Sequence, residues 1–160
     1  MKLYHRSNIV VKEYDLNYSN RARDFGSGFY LTSSLEQAQS WARHRTYLSK
    51  TGKPTISVYE LDDNYVNNLL VKKYDSASKE WLEFITKNRT NEESIKNDYD
   101  IIIGPVANDN TTPVINLYLS KIIDFEVAIK ELKTYVLKDQ YVIKTEESLK
   151  FLKYEGVIYD

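Results

Sequence analysis

The chain of 160 residues contains no cysteine. This absence excludes a disulfide framework, a zinc-thiolate centre and a thiol nucleophile, so any chemistry must use other groups. The sequence also has no apolar stretch long enough for a signal peptide, and no run approaches the roughly 20 residues of a membrane-spanning helix. We therefore predict a soluble, cytoplasmic protein with no metal site and no contact with a membrane.

An excess of charge of one sign is also missing. The 22 basic and 23 acidic side chains leave a net charge of −1, so no global field draws the chain to nucleic acid, although a local basic patch remains open. The hydrophobic fraction of 42% is typical of globular proteins. Only three prolines are present, and no repeat or linker divides the sequence, which predicts one domain over residues 1–160.

Strand and helix patterns follow one another irregularly. Strands are predicted over 3–5, 9–11, 29–31, 55–61, 69–74, 99–103, 141–143 and 156–159, and helices over 35–48, 78–88, 124–135 and 145–151. The alternation in 55–61 predicts a half-buried strand, Ser34 with Gln37 predicts a capping box, and 113–120 fits strand and helix equally. Because regular β-α-β alternation is missing, the predicted fold class is α+β.

Two sequence features could carry chemistry. His5 lies at the end of the first predicted strand, whereas His44 is typical of an exposed helical histidine. The segment Phe25-Gly26-Ser27-Gly28-Phe29-Tyr30 does not fit a dinucleotide-binding loop, because it lacks the third glycine and follows a polar segment rather than a strand. Taken alone, this segment is a turn that leads into a strand.

Three segments taken together resemble the motifs of the ADP-ribosyltransferase superfamily, in the His-Tyr-Glu branch of diphtheria-like toxins and poly(ADP-ribose) polymerases. His5-Arg6-Ser7 is similar to the first motif, a strand-end histidine followed by Gly-Ser. Residues 25–30 resemble the second motif, Phe-Gly-x-Gly-Ile-Tyr, and residues 139–143 resemble the third, an acidic strand. The chain is also similar to a bacterial family of small proteins, some of which belong to toxin-antitoxin pairs.

The resemblance implies an ADP-ribosyltransferase-like fold, with a split antiparallel β core flanked by helices. It further implies a mono-ADP-ribosyltransferase that uses NAD as co-substrate, acts on a macromolecular acceptor (nucleic acid or protein) and is a toxin with a cognate antitoxin protein. The alternative is a degenerate domain that binds NAD, ADP-ribose or a protein partner without turnover. RNA 2′-phosphotransferase chemistry is a third interpretation, in which Arg43, His44 and Arg45 would bind phosphate.

The resemblance assigns the NAD-binding residues one position at a time. His5 would bind a ribose hydroxyl on the adenosine side, with Ser7 near the nicotinamide. Backbone groups of Arg6 would hold the carboxamide, which requires its side chain to point away from the pocket. Gly28 belongs to the second motif, and Tyr30 would stack on the nicotinamide ring. Trp41, eleven positions after Tyr30, would close the other side of the ring, although its helical position is equally typical of a core residue.

The third motif departs from the family at its catalytic position. Where the family has a glutamate that binds the ribose 2′-hydroxyl and stabilises developing positive charge, this chain has Gln140. An amide oxygen accepts the same hydrogen bond without charge, which predicts slow, single transfer. Asp139 points to the opposite face by strand alternation. Lys138 lies two positions before Gln140, where arginine-modifying relatives have an acidic residue, and therefore predicts a nucleic-acid, acidic or hydroxyl acceptor.

Overall fold

The computed structural model describes residues 1–18, 24–90, 98–107, 110–135 and 137–160. Within these ranges the strands are β1 (Lys2–Ser7), β2 (Phe29–Thr32), β3 (Thr55–Leu61), β4 (Val71–Lys73), β5 (Ile101–Pro105), β6 (Asp139–Ile143) and β7 (Leu152–Tyr159). The helices are α1 (Leu35–Ser49), α2 (Tyr65–Asn68), α3 (Lys79–Arg89), α4 (Thr112–Leu119), α5 (Phe125–Leu132) and α6 (Glu146–Leu149), and a short 3₁₀ helix covers Leu16–Tyr18.

The seven strands form one sheet in the order β4-β5-β6-β2-β1-β3-β7. Neighbouring strands are antiparallel except β4 and β5, which run parallel because the chain between them crosses over through α3. The predicted α+β class is confirmed. The sheet is mixed, because β4 and β5 are parallel, and the finer expectation of a split antiparallel β core flanked by helices stays a prediction.

β1 and β2 share fewer paired residues than any other two neighbouring strands in the sheet. A single residue pair, Tyr4 and Thr32, connects the two strands, whereas β1 pairs with β3 over six residues, from Lys2 to Ser7. Beyond Tyr4, the Nδ1 atom of His5 lies 2.9 Å from the carbonyl oxygen of Tyr30. A side-chain contact thus takes the place of the ladder between the β4-β5-β6-β2 half of the sheet and the β1-β3-β7 half.

Alternation along the strands separates the two faces of the sheet. On one face, Leu3, Phe29 and Tyr141 pack into an apolar cluster. On the other face, Val142 packs with buried residues of α3, and Tyr30 lies against the same cluster. Helix α1 covers this second face beside β1 and β3, where its Ala38 and Ala42 are fully buried. The second face therefore carries the helices between which a binding site can form.

Four helices begin at the residues that the sequence predicted. The side chains of Ser34, Ser78, Asp124 and Thr145 each accept a hydrogen bond from a backbone N–H in the first turn of the helix that follows. The capping box at Ser34 is half formed, because the Oε1 atom of Gln37 has no partner among the described residues. The segment that fitted both strand and helix is α4, with Pro113 in its first turn, where the missing N–H costs nothing.

Several predicted strands differ from the structure. Residues 9–11 form no strand, because the Val11 N–H donates to the Ser57 hydroxyl instead of joining a ladder. Strand β3 is almost entirely buried rather than half-buried, since side chains cover both faces of the sheet at this point. Strand β5 continues through Pro105, β7 begins four residues before the predicted start, and helix α2 was not predicted.

Candidate functional site

A cleft of about 1270 Å³ opens on the helical face of the sheet. The predicted site residues that line it are Arg6, Tyr30, Trp41, Lys138 and Gln140. They come from β1, β2, α1, β6 and the residues just before β6, and are up to 134 positions apart in sequence, from Arg6 to Gln140. The fold thus brings parts of all three motifs to one cleft.

Tyr30 is held by the turn that precedes it. Its hydroxyl donates to the Gly26 carbonyl at 2.5 Å and accepts from the Phe25 N–H at 3.0 Å. Gly26 adopts a φ of +77°, a left-handed conformation that favours glycine. Because both hydrogen bonds stay within residues 25–30, the sequence of the second motif itself fixes the position of the Tyr30 ring at the cleft.

Gly28 lies against β6 and does not line the cleft. A Cβ atom at this position would lie 2.5 Å from Cγ1 of Val142 and 2.9 Å from the Ile143 carbonyl oxygen. Only a residue without a side chain allows this close approach of the turn to β6. Gly28, predicted to contribute to cofactor binding, therefore has a packing role in this fold.

Lys144 anchors the same turn from the end of β6. Its ammonium group donates to the carbonyl oxygens of Phe25 at 2.6 Å and Ser27 at 2.5 Å. Burial lowers the pKa of Lys144 to about 8. The sequence analysis did not single out this residue, because a lysine after a strand is most often solvated.

Helix α3 holds the other end of the turn. The Asn88 amide donates to the Asp24 carbonyl at 3.1 Å, and Arg89 Nε lies 2.6 Å from Asp24 Oδ1. Both Arg89 and Asp24 line the cleft. The turn before Tyr30 is consequently fixed from three sides, by β6, by α3 and by the Tyr30 hydroxyl.

Trp41 is half-buried on α1, and the Arg6 side chain lies over its ring. The guanidinium carbon of Arg6 lies 5.2 Å from the centre of the Trp41 ring, a cation-π distance. The expectation that Arg6 points away from the pocket is therefore wrong. Alternation in β1 explains the difference, since His5 faces the cluster around Phe29 and the next residue must face α1.

His5 and Ser7 do not line the cleft. The His5 ring packs 4.6 Å from the Phe29 ring, and its Nδ1 is engaged with the Tyr30 carbonyl. The predicted contact between His5 and a ribose hydroxyl would therefore need Nε2. Ser7 is buried, with its hydroxyl 3.4 Å from Asn8 Oδ1. In this structure His5 contacts the backbone of Tyr30, and the Tyr30 side chain lines the cleft.

Gln140 is 4% exposed, and its Nε2 atom has no hydrogen-bond partner among the described residues. Its backbone pairs with Thr32 and Gly104 in the sheet. A second unpartnered polar atom, Oε1 of Gln37, belongs to a side chain that lines the same cleft. Buried polar atoms without partners are costly, and these two side chains therefore leave one donor and one acceptor unsatisfied beside the cleft.

Basic groups outnumber acidic ones around the cleft. Arg6, Arg45, Arg89 and Lys138 line it, against Asp24 and Glu36. Since Arg89 is paired with Asp24, the remaining balance is positive. Arg43 does not contribute, because it forms an ion pair with Asp160. His44 and Arg45 do line the cleft, as the phosphotransferase interpretation required.

Comparison with known proteins supplies a family. Residues 1–154 match the model described as "Protein of unknown function (DUF3990)". The chain belongs to this family. The family description names no activity, so the ADP-ribosyltransferase resemblance stays a prediction, and no curated protein matches the chain. In the parts of this DUF3990 member that the structure describes, no helix is long and apolar enough to cross a membrane, and no three potential metal ligands come together.

Proposed function

We propose that the protein is a mono-ADP-ribosyltransferase that moves ADP-ribose from NAD to a macromolecular acceptor. One observation carries the proposal: Tyr30, Trp41 and Gln140, which the motif resemblance names, line one cleft. The resemblance also supports a toxin role with a cognate antitoxin protein as partner. The ADP-ribosyltransferase-like fold belongs to the same proposal, supported by the near division of the sheet between β1 and β2.

The cleft suits a ligand of this size and polarity. Its volume of about 1270 Å³ exceeds the roughly 300–1000 Å³ of most small-molecule sites, which leaves room for part of an acceptor beside the dinucleotide. Oε1 of Gln37 and Nε2 of Gln140, which have no partner among the described residues, are an acceptor and a donor that match ribose hydroxyls and a carboxamide, since these groups both donate and accept hydrogen bonds. Arg6 matches the charge of a pyrophosphate.

The reaction breaks the bond between the nicotinamide nitrogen and C1′ of its ribose, and the electron pair leaves with neutral nicotinamide. An acceptor atom forms the new bond to C1′ and loses its proton. Tyr30, fixed by its turn, and Trp41 would hold the departing ring, which lowers the entropic part of the barrier. Gln140 would bind the 2′-hydroxyl but adds no charge to stabilise the developing cation, so turnover is slow.

A second candidate function rests on Gln140. Because Gln140 replaces a charged group and is buried without a partner for Nε2 among the described residues, the cleft also suits a domain that binds NAD or ADP-ribose without cleaving it. Binding and bond cleavage separate the two candidates, because both require the ring contacts but only the enzyme releases nicotinamide.

The deciding experiment measures nicotinamide release from NAD by the purified protein, alongside NAD binding by calorimetry. Release that is abolished in Tyr30→Ala and kept in Tyr135→Ala, a substitution at an exposed tyrosine outside the cleft, supports the transferase. Binding that needs Tyr30 without any release supports the second candidate. If neither binding nor release occurs in the folded protein, both candidates fail.

A further inference from the structure

The C-terminal half of α1 carries charge of one sign. Between Trp41 and Lys50 the sequence contains Arg43, His44, Arg45 and Lys50 but no aspartate or glutamate. Arg43 is neutralised by Asp160. Arg45 and Lys50 form no ion pair within the described residues. In a chain with a net charge of −1, this is a local concentration of positive charge.

The same segment exposes two large apolar side chains. Tyr47 is 80% exposed and Leu48 is 64% exposed. Neither belongs to an apolar cluster of the described residues, so packing does not explain their presence. An exposed aromatic ring beside cations is the combination with which proteins bind single-stranded nucleic acid.

Part of this segment forms a wall of the cleft. Trp41, His44, Arg45 and Leu48 follow one another on α1, and all four line the cleft. Tyr47 lies two turns after Ser40, another lining residue. We call the exposed end of α1 formed by His44, Arg45, Tyr47, Leu48 and Lys50 the α1 basic face; Arg45 and Tyr47 are two positions apart and project from different sides of it. A ligand held on this face would extend towards Tyr30 and Gln140.

We propose that the α1 basic face binds single-stranded nucleic acid and delivers it to the cleft as the acceptor. Arg45 and Lys50 would contact phosphates, and an unstacked base would stack on Tyr47. Paired bases of a duplex are already stacked on one another and cannot use this ring. An acidic peptide would use the cations but leave Tyr47 idle. The acceptor role rests on the proposed function, whereas the binding does not.

Binding can be measured without NAD, by fluorescence anisotropy of short labelled RNA and DNA strands. Removal of one stacking ring should weaken binding of Tyr47→Ala about 5- to 150-fold. Replacing Arg45 and Lys50 by alanine should lower the slope of log affinity against log salt by about 0.7 for each phosphate that is no longer neutralised. Tyr135→Ala and the double substitution of Lys130 and Lys133 by alanine are matched controls, since these exposed residues lie outside the cleft.

The inference is overturned if single strands do not bind, if duplex binds as tightly, or if Tyr47→Ala binds like the native protein. Polyglutamate should also be tested as a competitor of the labelled strand. If Tyr47→Ala weakens polyglutamate binding as strongly as it weakens strand binding, the α1 basic face binds an acidic protein instead. Calorimetry with NAD alone keeps the two proposals apart. Intact NAD binding with no strand binding removes only this inference, and strand binding without NAD binding removes only the proposed function.

Discussion

Lys144 and Phe25 are joined by a hydrogen bond of 2.6 Å between the lysine ammonium group and the backbone carbonyl. The bond connects the end of β6, next to the third motif, with the turn of the second motif. Since the Phe25 N–H in turn donates to the Tyr30 hydroxyl, a buried cation helps to hold the turn that positions the Tyr30 ring. This lysine, which belongs to neither motif, adds a side-chain link to the direct pairing of Phe29 and Tyr30 with Ile143 and Val142 in the sheet.

Lys144 should make stability depend on pH in the alkaline range. Burial lowers its pKa to about 8 from 10.5, so between these values the unfolded chain binds a proton that the folded protein has released. The free energy of unfolding should therefore rise with pH across this window, by at most roughly 1.4 kcal/mol per pH unit. Burial raises the pKa of Tyr59 and Tyr74, which opposes the rise only above about pH 10, where unfolded tyrosines ionise.

Urea unfolding of native protein and Lys144→Met between pH 8 and 9.5 measures this effect. The variant should lose the rise, and Lys150→Met, which replaces an exposed lysine, should keep it. An identical slope in Lys144→Met and the native protein would show that the lysine does not carry this pH dependence.

The ring and the hydroxyl of Tyr30 should have separable roles. Tyr30→Phe keeps the ring but removes the hydrogen bonds to Phe25 and Gly26, and should cost about 1–3 kcal/mol of stability while leaving NAD binding nearly intact. Tyr30→Ala removes the stacking surface, and should weaken NAD binding by about 1–3 kcal/mol. Calorimetry and thermal melting distinguish the two effects. Equal NAD affinity in a folded Tyr30→Ala protein would remove the ring from the site.

Much of the local structure could be predicted from short patterns. Ser34, Ser78, Asp124 and Thr145 mark helix starts, because a capping side chain and the N–H that it satisfies are close in sequence. The extent of β7, the burial of β3 and the parallel pairing of β4 could not be predicted in the same way. Each depends on which distant strand lies alongside, and local periodicity does not contain that information.

The candidate site was predicted in part, and the errors have physical reasons. The motif resemblance named Tyr30, Trp41 and Gln140, which share the cleft. It placed the Arg6 side chain outside, although alternation after His5 turns it towards α1. Lys144 went unnoticed because its partners are backbone carbonyls, and a carbonyl has no signature in the sequence.

Charge at position 140 should set the rate of NAD cleavage. Gln140→Glu restores a carboxylate that can stabilise developing positive charge, and should raise nicotinamide release by about 10-fold or more. Gln140→Ala removes the amide altogether and should abolish release. Because position 140 is only 4% exposed, a carboxylate there should lower the stability of the fold. Thermal melting shows whether each variant is still folded at the assay temperature. If both folded variants release nicotinamide at the native rate, Gln140 is not at the reacting ribose.

Arg6 should compete with a ligand ring for Trp41. Because its guanidinium lies over the Trp41 ring, a nicotinamide ring on that face must displace an interaction worth about 0.5–1 kcal/mol. Arg6→Ala should therefore bind free nicotinamide about 2- to 5-fold more tightly. Titration followed by tryptophan fluorescence measures this, with Trp41→Phe to identify the signal. Weaker binding by Arg6→Ala would mean that the arginine holds the ligand instead.

Lys138 should select the acceptor. It is exposed, lines the cleft and lies two positions before Gln140, so it would face an acceptor arriving at the ribose. Repulsion between this ammonium group and a guanidinium at close range costs about 1–4 kcal/mol, depending on the effective dielectric, which disfavours arginine. A phosphate would be attracted instead.

Lys138→Glu should therefore shift labelling away from nucleic acid and towards arginine, while Lys130→Glu on α5, outside the cleft, should leave the preference unchanged. Incubation with labelled NAD and, separately, polyarginine, RNA and single-stranded DNA measures the preference. Efficient labelling of polyarginine by the native protein, or an unchanged preference in Lys138→Glu, would show that position 138 does not choose the acceptor.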